Sequence, residues 1–396
     1  MAERRRTLVM GQLLDAIADP DNLARAWTRV RANAGAAGVD GQSIAAFSAD
    51  AEHQLGALRT RLLSAERYVP PPVLRVEIPK PDGRVRPLGI PTVADRVVQQ
   101  ATRQVIEPLF EAKFLPCSFG YRPNKGANKA AWWVREAIRR GDRWVAEFDI
   151  VGFFDNLRHA RLLREVAKEI DDPEVIGLIR RWLRAGVLTE AGMVSTSAGT
   201  PQGGVISPLL ANIYLHRLDV EVRAAELRLI RYADDFVVLT RTKAEALAAD
   251  GLVRSILADI GLEVAEAKSG VRRVSEGFDF LGFTYHGRFL RPRPAAVMRF
   301  KDAVRACTRR QAPISLRHMI EDLNPLLRGW GNYFAMGDVL SLFEDLDCWI
   351  RTRLRSKVRG SKARLVSSYK LPNRELAALG LVSLDRIARD KRLSPV

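Results

Sequence analysis

Acidic side chains are the scarce class in this chain: its 396 residues carry 46 Asp+Glu against 63 Lys+Arg, a formal net charge of +17. That deficit points to a polyanionic partner, most simply nucleic acid. Cysteine is scarcer still. Cys117, Cys307 and Cys348 are three in all, widely separated and without a Cys-x-x-Cys pair. This excludes a zinc ribbon and a disulfide framework, and leaves three buried apolar thiols as the expectation. None of the five histidines clusters with a cysteine. No long uncharged apolar run occurs, which excludes a membrane-spanning helix and makes a membrane surface the weaker partner for the charge. The apolar stretch 7–14 is too short for a signal peptide, so a cytoplasmic protein is expected. The glycine-rich loop 33–41 has no Gly-x-x-x-x-Gly-Lys-Ser/Thr, so it is no phosphate-binding P-loop. Internal repeats and low-complexity tracts are also missing.

What remains is a chain rich enough in apolar residues, 47%, for a sizeable core. Helical spacing of Leu55, Leu58, Leu62 and Leu63 predicts helices over 11–69, interrupted by the 33–41 loop. After the stiff Pro70-Pro71-Pro72, a hairpin is predicted over 73–79 and 84–90. Helices follow over 92–110, 127–140 and 157–185, with a strand at 144–150 and a small hairpin at 187–197. A helix starts near Ser207-Pro208, serine as cap and proline in the first turn. Another runs over 243–260, a strand over 278–285, and beyond Arg293 the pattern is almost wholly helical. From Arg288 to the end there are 23 Lys+Arg and 10 Asp+Glu, so +13 of the +17 lies in the last quarter. Single charges there fit a solvated helical face; the concentrated excess fits a phosphate backbone.

The most informative feature is Tyr232-Ala233-Asp234-Asp235, inside the apolar run 229–239. Adjacent carboxylates repel, and burial disfavours their charged forms. Something cationic must hold them, and a divalent metal is the usual compensation. The β-branched and aromatic flanks read as two strands joined at the acidic pair. A second carboxylate, Asp149, ends the apolar strand in Phe148-Asp149-Ile150-Val151-Gly152-Phe153-Phe154-Asp155. Alone, an Asp-Asp doublet is more often a turn or a helix cap, and many strands end in aspartate. Together, convergent carboxylates from separate strands fit two-metal phosphoryl transfer.

At this point the chain resembles the reverse transcriptases of the bacterial group II intron maturase lineage. The likeness runs in order along most of the length. The 33–41 loop resembles that family's N-terminal extension. Ile78-Pro79-Lys80-Pro81-Asp82-Gly83-Arg84-Val85-Arg86-Pro87-Leu88-Gly89-Ile90-Pro91 and the 119–126 segment resemble its fingers blocks. The 149–156, 199–208 and 232–236 segments resemble its palm blocks. Leu281-Gly282-Phe283 resembles the block before the thumb, and Gly329-Trp330-Gly331-Asn332-Tyr333-Phe334 the maturase region. The resemblance implies an α+β fold, a right-hand polymerase. Residues 1–72 would be an N-terminal extension and 73–290 fingers and an antiparallel-sheet palm. Residues 291–396 would be a basic α-helical thumb, or maturase domain, with the tail aromatics as its core. The Cys/His-rich nuclease module of many intron proteins is not among the motifs.

The family's roles carry over residue by residue. Asp149 and Asp234 are implied as principal magnesium ligands and Asp235 as the third carboxylate. The carbonyl of Ile150 would complete one shell. Two Mg2+ per site are implied, with Mn2+ as an alternative. Phe154 would be an aromatic gate that favours deoxynucleotides, against a plain core phenylalanine. Gln202 would lie near the nascent base pair, and Gly203 would let the backbone approach closely. Lys80 and Arg86 would clamp the triphosphate, against ordinary hairpin solvation. Lys268 would be the general acid for the leaving pyrophosphate. Here Ala265-Glu266-Ala267-Lys268 departs from the family's glutamate-lysine-threonine run, and Val151 stands where many relatives have lysine. Nucleic-acid contacts would fall to Arg122 and Lys125 in the fingers and to Arg328, Arg351, Arg353, Arg355, Lys357 and Arg359 in the thumb. The implied partners are an RNA template, a primer, deoxynucleoside triphosphates and a structured intron or other non-coding RNA. A splicing cofactor, a domesticated enzyme of antiviral defence or spacer acquisition, and an RNA-templated RNA polymerase stay open as alternatives.

Overall fold

A computed structural model describes residues 12–79, 85–194, 198–201, 203–309, 311–358 and 371–393. The chain divides into two compact, discontinuous units. One holds 1–126, 146–238 and 247–270; the other holds 127–145, 239–246 and 271–396. These do not follow the sequential boundaries at 72 and 290. The reason is visible within the second unit: Tyr285 donates its hydroxyl to the Ala131 carbonyl at 3.1 Å, and Val274 N donates to Arg143 O at 2.9 Å. Those bonds join stretches far apart in the chain.

The first unit begins with helices α1 (Gln12–Ala18), α2 (Pro20–Ala32), α3 (Ile44–Ala49) and α4 (Ala51–Leu63). Asp19 caps α2 by accepting from Asn22 N at 3.0 Å, with Pro20 opening the helix. Strands β1 (Val73–Pro79) and β2 (Val85–Ile90) form the expected antiparallel hairpin. Helix α5 (Val93–Glu111) follows, capped by Thr92 and buried along most of its length. Along the chain α6 (Ala127–Arg139), which belongs to the second unit, comes next, and then β3 (Trp144–Phe148), α7 (His159–Val166), α8 (Pro173–Arg184), β4 (Val187–Thr189), β5 (Gly192–Val194) and α9 (Ser207–Ala224). The acidic hairpin is β6 (Arg228–Tyr232) and β7 (Asp235–Thr240), and α10 (Lys243–Asp259) succeeds it. Three sheets result. The first has the order β2-β1-β4-β5. The second is β6-β7-β3 completed by β8 (Gly270–Arg273). The third is β11-β10-β9, from β9 (Phe278–Phe280), β10 (Phe283–His286) and β11 (Phe289–Pro292).

The remainder is helical: α11 (Pro294–Cys307), α12 (Leu316–Phe334), α13 (Leu340–Val358), α14 (Asn373–Ala378) and α15 (Leu384–Leu393). Its core joins Trp330, stacked on Phe300 at 4.2 Å, with Phe334 and Phe343. No described helix is long and apolar enough to cross a membrane.

Three details depart from expectation. Phe278 to Tyr285 is not one strand, because Leu281 and Gly282 both take positive φ, +50° and +80°, and turn β9 back into β10. Ser207 does not cap α9; Ile206 holds that position, and the Ser207 hydroxyl instead donates to Pro201 O at 2.9 Å. The cysteines are not all buried: Cys348 is exposed and the other two are half-buried. Burial still pushes the Cys117 thiol up to about 12, so it is protonated at neutral pH.

Candidate active site

The turn between β6 and β7 reverses within two residues because Ala233 adopts φ +60°. Asp234 is half-buried and Asp235 exposed. In the second sheet β7 neighbours β3. The rings of Phe148 and Phe236 stack at 5.0 Å, while Arg143 N donates to Thr240 O at 2.8 Å near the other ends of the two strands. The two strands therefore run antiparallel. Asp149, just after Phe148, and Asp235, just before Phe236, come to the same end of the sheet.

Asp149 is held by its backbone. Its amide donates to Ser269 Oγ at 3.0 Å and its carbonyl accepts from Ala265 N at 2.7 Å. Val151 N donates to Glu263 O at 2.9 Å, and Ile150 faces Val264 in an antiparallel bridge. Ile150 is thus the pair not bonded in that ladder, and its carbonyl points away from it. The Lys268 ammonium is ion-paired with the Asp149 carboxylate. This assigns Lys268 as the carboxylate's counter-ion, and a general-acid role would require it to leave that partner.

Among the described residues, no group of three or more His, Cys, Asp or Glu side chains is placed to hold a metal ion. Magnesium asks for less, because substrate phosphates and water complete its shell. Aspartates at one sheet end fit such a cation once the Lys268 ammonium gives up Asp149.

The cation beneath the turn is one the sequence reading missed. Arg231, wholly buried, pairs with equally buried Asp219, Nε to Oδ1 at 2.6 Å and Nη2 to Oδ2 at 2.5 Å. Burial alone would lower its pKa; the Asp219 charge and hydrogen bond outweigh that and raise it. An arginine within an apolar strand was the available signal.

Phe154 is buried at 8% exposure in a one-turn helix, its ring edge-on to Phe153. Thr200 N donates to Phe154 O at 2.8 Å, so the loop 199–201 lies against it. A cavity of about 110 Å³ opens beside this loop, lined among others by Arg75, Leu88, Asp155 and Thr200. Gly203, at φ +117°, does allow a close approach, but to β2: a Cβ there would fall 2.5 Å from Gly89 O. Two buried groups steady the same region. His159 Nε2 lies 2.7 Å from Gly199 O. Asp95 accepts from Trp182, Gln99 and Tyr68, and Gln99 in turn accepts from Ile206 N at 3.3 Å. Burial raises the Asp95 pKa.

Lys80, Gln202 and Arg359 lie outside the described residues. Arg86 stands in β2 opposite Ile78. Arg122 is corrected. Its side chain is 5% exposed, bidentate to Glu111, and donates to the carbonyls of Leu115, Ser118 and Phe114. With its donors so occupied, it braces the loop and is not turned to nucleic acid. Lys125 lies over the Phe119 ring at 5.3 Å. Of the thumb cations, Arg328 is exposed and Arg351 half-exposed. Arg353 donates to Thr308 and lies over Trp349, Arg355 donates to Leu371 O and Asn373, and Lys357 to Ala312 O. Those three are engaged within the fold, donating to oxygens of the segments beside the end of α13.

The family of reverse transcriptases (RNA-dependent DNA polymerases) matches this chain over residues 78–285, and the group II intron maturase-specific domain over 297–364. Protein YkfC of Escherichia coli (strain K12) is 34% identical over 318 residues, 70% of this chain and 83% of that protein. Group II intron-encoded protein LtrA of Lactococcus lactis subsp. cremoris is 42% identical over 153 residues, 38% of this chain and only 25% of LtrA. Among solved structures, a chain of the partial Cas6-RT-Cas1–Cas2 complex is 26% identical with a TM-score of 0.39, covering 63% of this chain and 41% of that one.

Proposed function

The chain belongs to the reverse transcriptase family, RNA-directed DNA polymerases of right-hand architecture, and carries a group II intron maturase-specific domain; from that premise we propose that it extends a primer on an RNA template at the end of the β6-β7-β3 sheet. The observation that supports this reading is that Asp149 and the Asp234-Asp235 turn lie at the same end of two neighbouring strands, beside the Phe148–Phe236 stack. In the reaction, the primer 3′ oxygen bonds to the α-phosphorus of a deoxynucleoside triphosphate, the α–β phosphoanhydride bond breaks, and pyrophosphate leaves. Asp149, Asp234 and Asp235, with the Ile150 carbonyl, would hold magnesium ions, which supply charge to the developing phosphorane and ease loss of the hydroxyl proton.

This chain's own side chains set the rest. Phe154 floors the sugar site from a fixed backbone, and a ring there disfavours a 2′-hydroxyl. Lys268, once released from Asp149, would give the leaving group a proton. Lys80, Arg86 and Gln202 are proposed to engage the triphosphate and the nascent pair. Residues 73–290 would supply fingers and palm, and 291–396 the thumb. The match to the maturase-specific domain favours a second activity, binding of a structured intron RNA as a splicing cofactor.

Primer extension on an RNA template tests the reading, with RNA binding measured in parallel. Asp234→Asn should lose extension and keep RNA binding; near-normal extension by that variant refutes the assignment. Phe154→Ala should admit ribonucleotides, and unchanged discrimination would sink the gate.

A further inference from the structure

Beneath the acidic turn lies a guanidinium that the chemistry above does not use. Arginine has five N–H donors, and Arg231 places every one. Nε and one Nη2 hydrogen go to Asp219. Nη1 reaches Asn212 Oδ1 and Ala233 O, each at 3.0 Å, and Nη2 also reaches Ser118 Oγ at 2.8 Å. The backbone repeats the pattern: Arg231 N donates to Cys117 O at 2.9 Å, and Phe119 N to Arg231 O at 2.8 Å. Asn212 closes the ring by donating to Gly120 O at 2.8 Å. Gly120 is seated so tightly that a Cβ there would strike the backbone nitrogen of Ala233.

One side chain therefore ties α9, the 117–120 segment and the turn itself. Stability alone does not call for this. A buried ion pair is often matched or bettered by apolar residues of similar volume. Apolar residues could not, however, grip the Ala233 carbonyl, one residue before Asp234, in its left-handed conformation.

Resting on the polymerase reading, we propose that Arg231, oriented by Asp219, is a positioning residue that fixes the Ala233-Asp234 peptide so that the Asp234 carboxylate meets Asp149 in a preset geometry. Arg231 touches neither substrate nor primer. Its effect is on the placement of a carboxylate, and a misplacement of about 1 Å can cost on the order of 100-fold in rate.

The test is the double variant Arg231→Met/Asp219→Leu in the full chain, which removes both charges together. Four quantities are read: thermal melting, affinity for an RNA–DNA primer-template, kcat and KM for a deoxynucleoside triphosphate, and Mn2+ binding by electron paramagnetic resonance without substrate. A melting point and primer-template affinity close to the parent are expected. kcat should fall about 100-fold with KM changed less than about threefold, the split that a misplaced carboxylate predicts. Mn2+ affinity should weaken about tenfold, toward that of Asp234→Asn. A folded double variant with parental kcat and Mn2+ affinity overturns the proposal. Should the double variant not fold, Arg231→Lys decides. It keeps the charge beside Asp219 but gathers its donors on one nitrogen. A folded Lys variant with parental kcat and Mn2+ affinity would equally overturn it. If the parent itself extends no primer, the polymerase reading fails instead, and the Mn2+ arm still judges the positioning.

Discussion

Arginine is used in opposite ways in the β6–β7 hairpin and in the C-terminal helices. At the hairpin a single arginine is wholly buried, paired with one buried aspartate, and shared among three chain segments. In the helices, cations are many and lie near the surface. Arg328 is exposed, and Arg353, Arg355 and Lys357 spend donors on nearby backbone or hydroxyl oxygens. The difference follows from solvation. A buried charge must be matched bond for bond or it destabilises, so its geometry is rigid. A surface charge is screened and replaceable, so it imposes little geometry on its neighbours. Count and placement are thus separate properties: the C-terminal quarter holds most of the net charge, and the hairpin holds a buried cation whose bonds tie three chain segments.

The largest test of that contrast is Asp234→Asn. Extension should fall by about 1,000-fold or more, the scale of losing a group that organises transition-state charge. RNA affinity, carried by distributed cations, should change less than about twofold. Equal losses in both assays would merge the two regions.

Next in size is stability. Arg231→Met alone leaves Asp219 buried and unpaired, and should destabilise by about 3–5 kcal/mol. Arg328→Ala should stay within about 0.5 kcal/mol of the parent, as exposed substitutions do. Urea melts of the two variants measure the gap, and a comparable loss in both would erase the distinction.

A third comparison lies inside the C-terminal helices. Arg328→Ala should make the salt dependence of RNA binding shallower by about one unit of log–log slope. Arg353→Ala should leave that slope alone and cost about 1 kcal/mol of stability, from its lost bonds to Thr308. Titrating affinity against salt for both variants separates them.

The smallest expected effect is acid sensitivity in the first unit. Burial lowers the pKa of His159 and of His216 below the ordinary imidazole value, although the Gly199 carbonyl and the Asp219 charge respectively oppose it. The unfolded chain then binds protons first as pH falls. Stability from these groups is present above the ordinary imidazole pKa and is lost on acidification through it. His216→Phe, beside the Phe114 ring, should flatten the decline. Stability measured from pH about 7.5 to about 5 reads it, and an unchanged slope would remove His216 from the account.

Much of this was legible in one dimension. The β1–β2 hairpin, α5, α6 and the acidic hairpin announce themselves by apolar periodicity and turn residues. Asp149 and the Asp234-Asp235 pair stood out because carboxylates at apolar strand ends are costly without a cation. The β9–β10 reversal was hidden because Leu281 is an apolar residue, rarely found at positive φ, amid strand-forming aromatics, and only Gly282 hinted at it. Arg122 was misread because exposure is a tertiary property: a basic loop looks the same whether its arginine faces water or Glu111.

The sequence by itself determined the family, the order of the blocks and the identity of the acidic residues, because local pattern and residue chemistry suffice for those. Only the tertiary structure decided which cation lies under the turn and which aspartate answers it. Asp219 and Arg231 sit on different elements, and nothing in their spacing along the chain distinguishes that pair from the many others it could have formed. Their partnership exists because folding removes both from water at one place, where each supplies the charge the other needs.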